Sequence, residues 1–332
     1  MLIKKLNLIN FGKFSNFTAE FAEGLNIIVG KNGSGKTTIV EALAYISFQR
    51  SFRHVKDEDL LRFGEKEFSI TANISNLTEH EIKIIYRKEN DKSVKRVYVD
   101  NKRQKLITKL HKEIIVLAFH NYNYSIIEQS PASRRYFFDW FFSLIDEEYY
   151  INLHRYKKIL IQKNKSLKTS KDIKLWNSQL KPYASYINDI RKKYINELNS
   201  IIPDEVKIKY TSTLENKTFE DFEEIELKRG FSIVGPHRDM FDFYYRGKNA
   251  RLYASDGERR KAFFELVNGM VKLVEKTKNV KPVLAFDELF GVLDKDNIKK
   301  FIKKMTELDL QVVITAHSKD YVEEFMNIIE IS

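Results

Sequence analysis

"GLNIIVGKNGSGKTTIVEAL", residues 24–43, is the stretch whose reading decides the fold. Gly30 and Gly35 bracket Lys31, Asn32, Gly33 and Ser34, and Lys36, Thr37 and Thr38 follow, which fits G-x-x-x-x-G-K-[ST]. Leu25 to Val29 is an apolar run of strand character, and Thr38 to Ala44 reads as the first turns of a helix. Glycines let a backbone take left-handed dihedrals and bring several N–H groups against one phosphate. The helix N-terminus adds partial positive charge. In such a cradle Lys36 reaches the β- and γ-phosphates and the Thr37 hydroxyl ligates Mg2+. A glycine-rich turn with an incidental lysine is the alternative; the strand before and the helix after favour the cradle.

A second stretch answers the first. "PVLAFDELFGVLD", residues 282–294, has an apolar run, Val283 to Phe286, that ends in Asp287 and Glu288. Alone this is a buried strand ending in acids. Paired with the glycine loop, Asp287 suits the Mg2+ shell and Glu288 suits the general base that polarises the attacking water. "QVVITAHSKD", residues 311–320, is another apolar strand, and His317 follows it where it can contact the γ-phosphate and the water. In "LYASDGERRKAFFEL", residues 252–266, Ser255, Gly257 and Glu258 stand at the start of a helix whose apolar face is Phe263, Leu266, Val267 and Met270. A serine and a glycine there make an anion site; a simple N-cap by Ser255 is the other reading.

The 332 residues allow two domains or one large one. A formal net charge of +11 and a pI near 9.3 favour a polyanionic partner. There is no cysteine, which excludes disulfides and thiolate metal sites. No apolar run approaches the ~18 residues that span a bilayer. "MLIKKLNLINF" alternates like a first strand and lacks the apolar core of a signal peptide, so a soluble, cytoplasmic protein with no membrane partner is expected.

Elsewhere, residues 1–30 read as strand, turn, strand. "FSITANIS", "EIKIIYRK" and "KRVYVD" read as antiparallel strands with a turn at Asp100 and Asn101, and "IIVLAF" (114–119) as a short buried strand. Residues 133–200 carry helical spacing, as in Phe137, Trp140, Phe141 and Leu144. Arg155 to Lys174 is strongly basic against one acid, Asp172; it is either a solvated helix face or a DNA-contacting one. After Pro203, "VKIKYTS", "FSIVG" and "FDFYYRG" read as strands, and the acidic patch Glu220 to Glu226 as a loop.

The ordered set of glycine loop, long insertion, Ser-x-Gly helix, strand with paired acids and histidine resembles the ABC-type ATPase head shared by SMC proteins and the RecF recombination-mediator family. Only residues 140–200 are available for an arm, and they lack sustained heptads, so the resemblance points to the short-armed RecF family. "RSFR" (50–53), "SPASRRYFFDW" (130–140, similar to the family's Pro-x-x-Arg-Arg-x-Phe-x-Asp) and "GPHRDM" (235–240) also resemble it. The chain departs from the family's usual pattern at Asp256, where a glutamine is common, at Glu288, where a second aspartate is common, at His317, which is often absent, and at Gly12 of Asn10-Phe11-Gly12, where many heads carry arginine and Lys13 stands next.

The resemblance implies an α/β fold: an ABC-type ATPase head with a P-loop, a mixed sheet plus antiparallel strands, and an inserted short helical subdomain. It implies an ATPase lobe at 1–130, a helical arm at 131–205 and the remainder of the head at 206–332. ATP with Mg2+ would lie between two protomers, with Ser255, Gly257 and Glu258 acting in trans and Asp294 in the crossing loop (the D-loop). The catalytic residues would be Lys36, Glu288 and His317. A Q-loop residue is expected among His120 to Asn123 or at Gln129. The implied function is weak, switch-like ATP hydrolysis that drives dimerisation on duplex DNA near single-strand gaps in recombinational repair and replication, with RecR, and in some cases RecO, promoting RecA loading. Candidate DNA contacts are Arg50, Arg53, Lys157, Lys158, Lys163 and Lys165; Arg134 and Arg135 are expected to pair with Asp139 or a neighbouring carboxylate. The alternatives are a defence or plasmid-borne SMC-like ATPase working with a separate nuclease and, against the Ser130 to Trp140 and Gly235 to Met240 elements, a transporter's nucleotide-binding subunit.

Overall fold

The computed structural model describes residues 1–53, 55–76, 78–89, 92–104, 114–169, 172–289, 295–318 and 327–331. Two compact units emerge, Met1–Tyr124 with Lys278–Ser332, and Ser125–Thr277. The sequence division at 130 and 205 cuts the chain differently: residues 206–277 group with the helices.

The first unit opens with β1 (Leu2–Phe11), β2 (Phe14–Glu20) and β3 (Leu25–Gly30), followed by α1 (Lys36–Phe48). Then come β4 (Glu67–Ser75), β5 (Glu79–Glu89), β6 (Lys92–Val99), β7 (Lys102–Gln104), β8 (Val116–Phe119) and the short α2 (Asn121–Tyr124). An antiparallel sheet runs β2-β1-β4-β5-β6-β7. In β4 every second residue is buried and those between are mostly half-buried, because one face meets the core. Asp100 and Asn101 both take left-handed dihedrals in the two-residue β6–β7 turn.

The second unit holds α3 (Pro131–Ile145), α4 (Glu147–Leu167), α5 (Ile173–Ile201), β9 (Val206–Thr211), α6 (Glu223–Arg229), β10 (Met240–Tyr245), β11 (Lys248–Asn249), α7 (Ala250–Tyr253) and α8 (Asp256–Lys278). Ser130 caps α3 by accepting from Ser133 N, with Pro131 at the first helical position. β9, β10 and β11 form a small antiparallel sheet, and Phe138 of α3 stacks on Phe241 of β10 at 4.5 Å between centroids.

The chain then returns to the first unit with β12 (Val283–Phe286), α9 (Lys295–Glu307), β13 (Val312–Ala316) and β14 (Asn327–Ile331). A parallel sheet of order β14-β3-β13-β12-β8 results. β8, β12 and β13 are buried along their whole length, so they read as unbroken apolar runs. Ile39, Val40 and Leu43 of α1 share one core with Leu6, Phe68 and Ile84 of the antiparallel sheet and with Val116, Val283 and Val313 of the parallel one. Among the described residues no helix is long and apolar enough to cross a membrane.

Two further sequence expectations change. "FSIVG" is not a strand: Ser232 N donates to the Asn164 side chain and Ile233 N to the Glu226 carboxylate, so side chains take the place of a ladder. The acidic patch is a 3-10 turn, Glu220–Phe222, running into α6, and its Glu226 is fully buried against Lys163.

Candidate nucleotide site

The parallel register brings the carboxyl ends of β3, β12, β13 and β8 to one edge of the sheet, the edge where α/β folds bind ligands. Gly30 to Gly35 follow β3, Asp287 and Glu288 follow β12, His317 follows β13 and Asn121 follows β8. Every catalytic or metal-binding residue expected from the sequence on these strands therefore lies at that edge.

Gly35 turns the chain into α1 at φ 109°, and a Cβ there would stand 2.5 Å from the Phe14 ring, so the position admits only glycine. Lys36 is 5% exposed. Its Nζ donates to the carbonyls of Gly30 (2.7 Å) and Lys31 (2.9 Å) and lies 3.4 Å from His317 Nδ1. Burial pushes its pKa down, and Glu288 and Asp287 pull it back through space. The Ser34 hydroxyl in the same loop is buried with no partner among the described residues.

The Asp287 carboxylate accepts from Thr37 Oγ1 at 2.8 Å and from Thr315 Oγ1 at 2.9 Å. Burial raises its pKa, and the two hydroxyl donors oppose that rise. The same Thr315 oxygen accepts from Glu288 N at 2.7 Å, which anchors the turn. Glu288 sits there at φ 57°, a left-handed conformation costly for a non-glycine residue. Its Oε2 accepts from Asn121 Nδ2 at 2.9 Å, and its Oε1 is 3.8 Å from His317 Nε2. Tyr124 donates to the Asp287 carbonyl at 2.8 Å and braces the strand end from behind. Asn121 falls inside the span expected for a Q-loop residue, whereas Gln129 bonds Ser125 Oγ at 2.9 Å. The one sequence signal for Thr315 is a polar residue in an otherwise apolar strand.

Ser255 caps α8 reciprocally: its N and Oγ both donate to Glu258 Oε2 at 2.9 Å, and its Oγ accepts from Glu258 N at 3.4 Å. Asp256 pairs with Arg259 within the same turn, and Arg259 also lies 3.1 Å from Glu128. Gly257 leaves open space where a Cβ would stand. Asp294 lies outside the described residues.

The candidate DNA contacts separate. Lys163 is not a surface cation: it is fully buried, 2.6 Å from Glu226, because the helix face it occupies packs inward. Arg53 pairs with Glu41 of α1, a fully buried carboxylate that Ser51 also bonds. Lys157 Nζ is 3.8 Å from Asp139. Arg50, Lys158 and Lys165 are exposed. Arg134 pairs with Asp242 at 2.9 Å and Arg135 donates to the Asp239 carbonyl, whereas Asp139 is taken by Arg191.

A family profile described as an AAA domain matches residues 5–312. The chain is 30% identical to the DNA replication and repair protein RecF of Clostridium beijerinckii, across 100% of this chain and 97% of that one. It is 29% identical to the RecF of Thermoanaerobacter pseudethanolicus, across 97% and 96%. Among solved structures it is similar to the recombination mediator protein RecF with ATPrS in the RecFOR pathway, with a TM-score of 0.89 at 26% identity over 97% of this chain and 94% of the other. RecF with ATP in the same pathway gives a TM-score of 0.86 at 27% identity over 97% and 93%.

Proposed function

We propose, from the premise that this chain belongs to the RecF family, that it is a DNA replication and repair ATPase whose nucleotide state controls association of two copies on DNA. The observation that carries this reading is the meeting of Lys36, Thr37, Asp287, Glu288 and His317 at one sheet edge.

Lys36 exchanges two backbone carbonyls for β- and γ-phosphate oxygens, and the loop amides from Lys31 to Thr38 cradle the phosphates. Among the described residues no three side chains form a metal cluster of their own. Thr37 and Asp287 nevertheless offer hard oxygen donors side by side, which suits Mg2+ held jointly with a nucleotide's phosphates. When bound, the ion supplies charge neutralisation at the phosphates. Glu288 orients the attacking water and accepts its proton. Asn121 holds the Glu288 carboxylate in place, and His317, between Glu288 and Lys36, faces the γ-phosphate.

Ser255, Gly257 and Glu258 of a second copy close on the γ-phosphate, with Asp294 in the crossing loop. The capped Ser255 turn supports this, because a helix N-terminus presents amides to an anion. Asp256 does not oppose the phosphate, because Arg259 answers its charge. Hydrolysis is slow and resets the dimer. The net charge of +11 supports salt-dependent contact with duplex DNA near single-strand gaps through Arg50, Lys158 and Lys165. RecR, in some cases together with RecO, is the partner and RecA loading the outcome, in the cytoplasm, with residues 131–205, the helical part of the second unit, as the short arm.

Light scattering of Glu288→Gln with and without Mg·ATP tests the reading. A monomer that becomes a dimer only with ATP is expected. ATP binding without a change in mass removes the role in trans of Ser255.

A further inference from the structure

Two of the stretches that resemble the family outside the nucleotide motifs are Ser130 to Trp140 and Gly235 to Met240. Both meet in the second unit, around Arg191 of α5. This guanidinium is 1% exposed. It lies 2.7 Å from Asp139 and 3.0 Å from Asp239, donates to the Pro236 carbonyl at 2.8 Å, and reaches the Tyr149 hydroxyl at 3.0 Å. Gly235 has φ 118°, and a Cβ on it would stand 2.5 Å from the Tyr156 hydroxyl, so glycine lets this loop close on α4. Tyr156 in turn bonds His237 Nδ1 at 2.7 Å.

Over this floor opens a cavity of about 190 Å³. Tyr136, Leu153 and Pro236 supply apolar walls, and Arg135 and Lys157 supply charge. Arg135 spends one nitrogen on the Asp239 carbonyl, and the Lys157 side chain is half exposed, 3.8 Å from Asp139. Asp239 spends its hydrogen bonds on Arg191, Tyr210 and Thr213 and acts on Arg135 only through space. His237, whose pKa burial pushes down to about 4, is neutral and has both ring nitrogens engaged. Arg135, Lys157 and Arg191 are thus three cations against two carboxylates, Asp139 and Asp239, and the cavity has an excess of positive charge. Burial, Arg191 and Arg238 work against the charge on Arg135 and outweigh Asp139 and Asp239, a conflict that an added anion relieves.

We propose that this cavity is a docking pocket for an acidic peptide of a partner protein, which inserts one aromatic or large aliphatic side chain beside a carboxylate. Charge complementarity selects the acid. The walls select a peptide over nucleic acid: a phosphate backbone satisfies Arg135 and Lys157 but leaves Leu153, Tyr136 and Pro236 without apolar contact. Size agrees, because an apolar cavity of about 150 Å³ holds a benzene ring, and this one has room for a ring with its carboxylate. The pocket is built from residues of the second unit alone and does not rest on the ATPase reading.

The test is a calorimetric or NMR titration of the full chain with N-acetyl-L-phenylalanine. N-acetyl-L-phenylalaninamide controls for the ring without the charge, and inorganic phosphate for the charge without the ring. Saturable binding with a Kd on the order of 1 mM is expected. It weakens at least tenfold in Ala132→Trp, which fills the mouth from an exposed position, and in Arg135→Gln. A wild-type chain that does not saturate overturns the proposal, as does an amide that binds as well as the acid. Phosphate that displaces the probe at equal concentration turns the pocket into a simple anion site and overturns it too. Melting curves confirm that each variant is folded; should Ala132→Trp fail that check, Arg135→Gln decides.

Discussion

Lys36 in the first unit and Arg191 in the second are both buried cations, 5% and 1% exposed. Their surroundings differ. Lys36 reaches two carbonyls and a ring nitrogen, its carboxylate neighbours act only through space, and burial pushes its pKa down. Around Arg191 burial also opposes the charge, but Asp139, Tyr149, Tyr210 and Asp239 outweigh it and hold the guanidinium well above its ordinary pKa. Lys163, 2.6 Å from Glu226 and 4.7 Å from the centre of the Phe219 ring, shares the paired state of Arg191, although burial pushes its pKa down. A buried cation with a full set of counter-charges is a structural pin. One resting on neutral carbonyls can exchange them for phosphate oxygens without stranding a carboxylate.

The widest gap should appear with Lys36→Ala. ATP turnover is expected to fall by ~10²–10⁴-fold, as for the loss of a preorganised charge at a transition state. Phosphate release and a thermal melt on the same sample check it, since a matching collapse in stability would erase the contrast. Arg191→Leu should do the opposite and cost about 3–5 kcal/mol in denaturant unfolding, because two buried carboxylates lose their partner.

His237 sharpens the second side. Its folded pKa, about 4, lies below the ordinary 6.5, so the unfolded chain takes up the proton first as pH falls. Its contribution is therefore complete above about pH 6.5 and is lost as pH drops toward 4, roughly 3 kcal/mol in all. His237→Gln should flatten that part of the stability profile; an unchanged slope assigns the acid sensitivity elsewhere.

Asn121→Ala should lower kcat about tenfold with KM for ATP unchanged, the effect of removing a group that orients a catalytic carboxylate. A change confined to KM would place Asn121 on the nucleotide instead. The smallest effect belongs to the surface. Lys158→Gln with Lys165→Gln should reduce the slope of log Kd for duplex DNA against log salt by about 2. Lys163→Gln should leave that slope alone and lower stability, because it strands Glu226.

Much of the candidate site was legible in the sequence, because its signals are local. The Gly30 to Thr37 spacing, the carboxylate pair after Val283 to Phe286, His317 after β13 and the Ser255 cap are each set by residues within a few positions of one another. Strand, loop and helix propensities act over that same range. The antiparallel strands and the Asp100-Asn101 turn were readable for the same reason: alternation and turn chemistry need no distant partner.

What the tertiary structure alone decided is partnership. A lysine within the basic Arg155 to Lys174 run looks the same whether it meets water or Glu226; only the packing of α4 against α6 makes Lys163 a pin and leaves Lys158 and Lys165 in solvent. "FSIVG" has the composition of a strand, yet Asn164 and Glu226 take its amides before any neighbouring strand can. Asn121 and Thr315 meet the carboxylates of Glu288 and Asp287 because parallel strands far apart in sequence end at one edge. The sequence by itself determined which groups are candidates for the chemistry, since backbone geometry and propensity act over a few residues. The tertiary structure determined which of them are exposed, paired or poised, since desolvation and hydrogen bonding depend on neighbours that only the folded chain supplies.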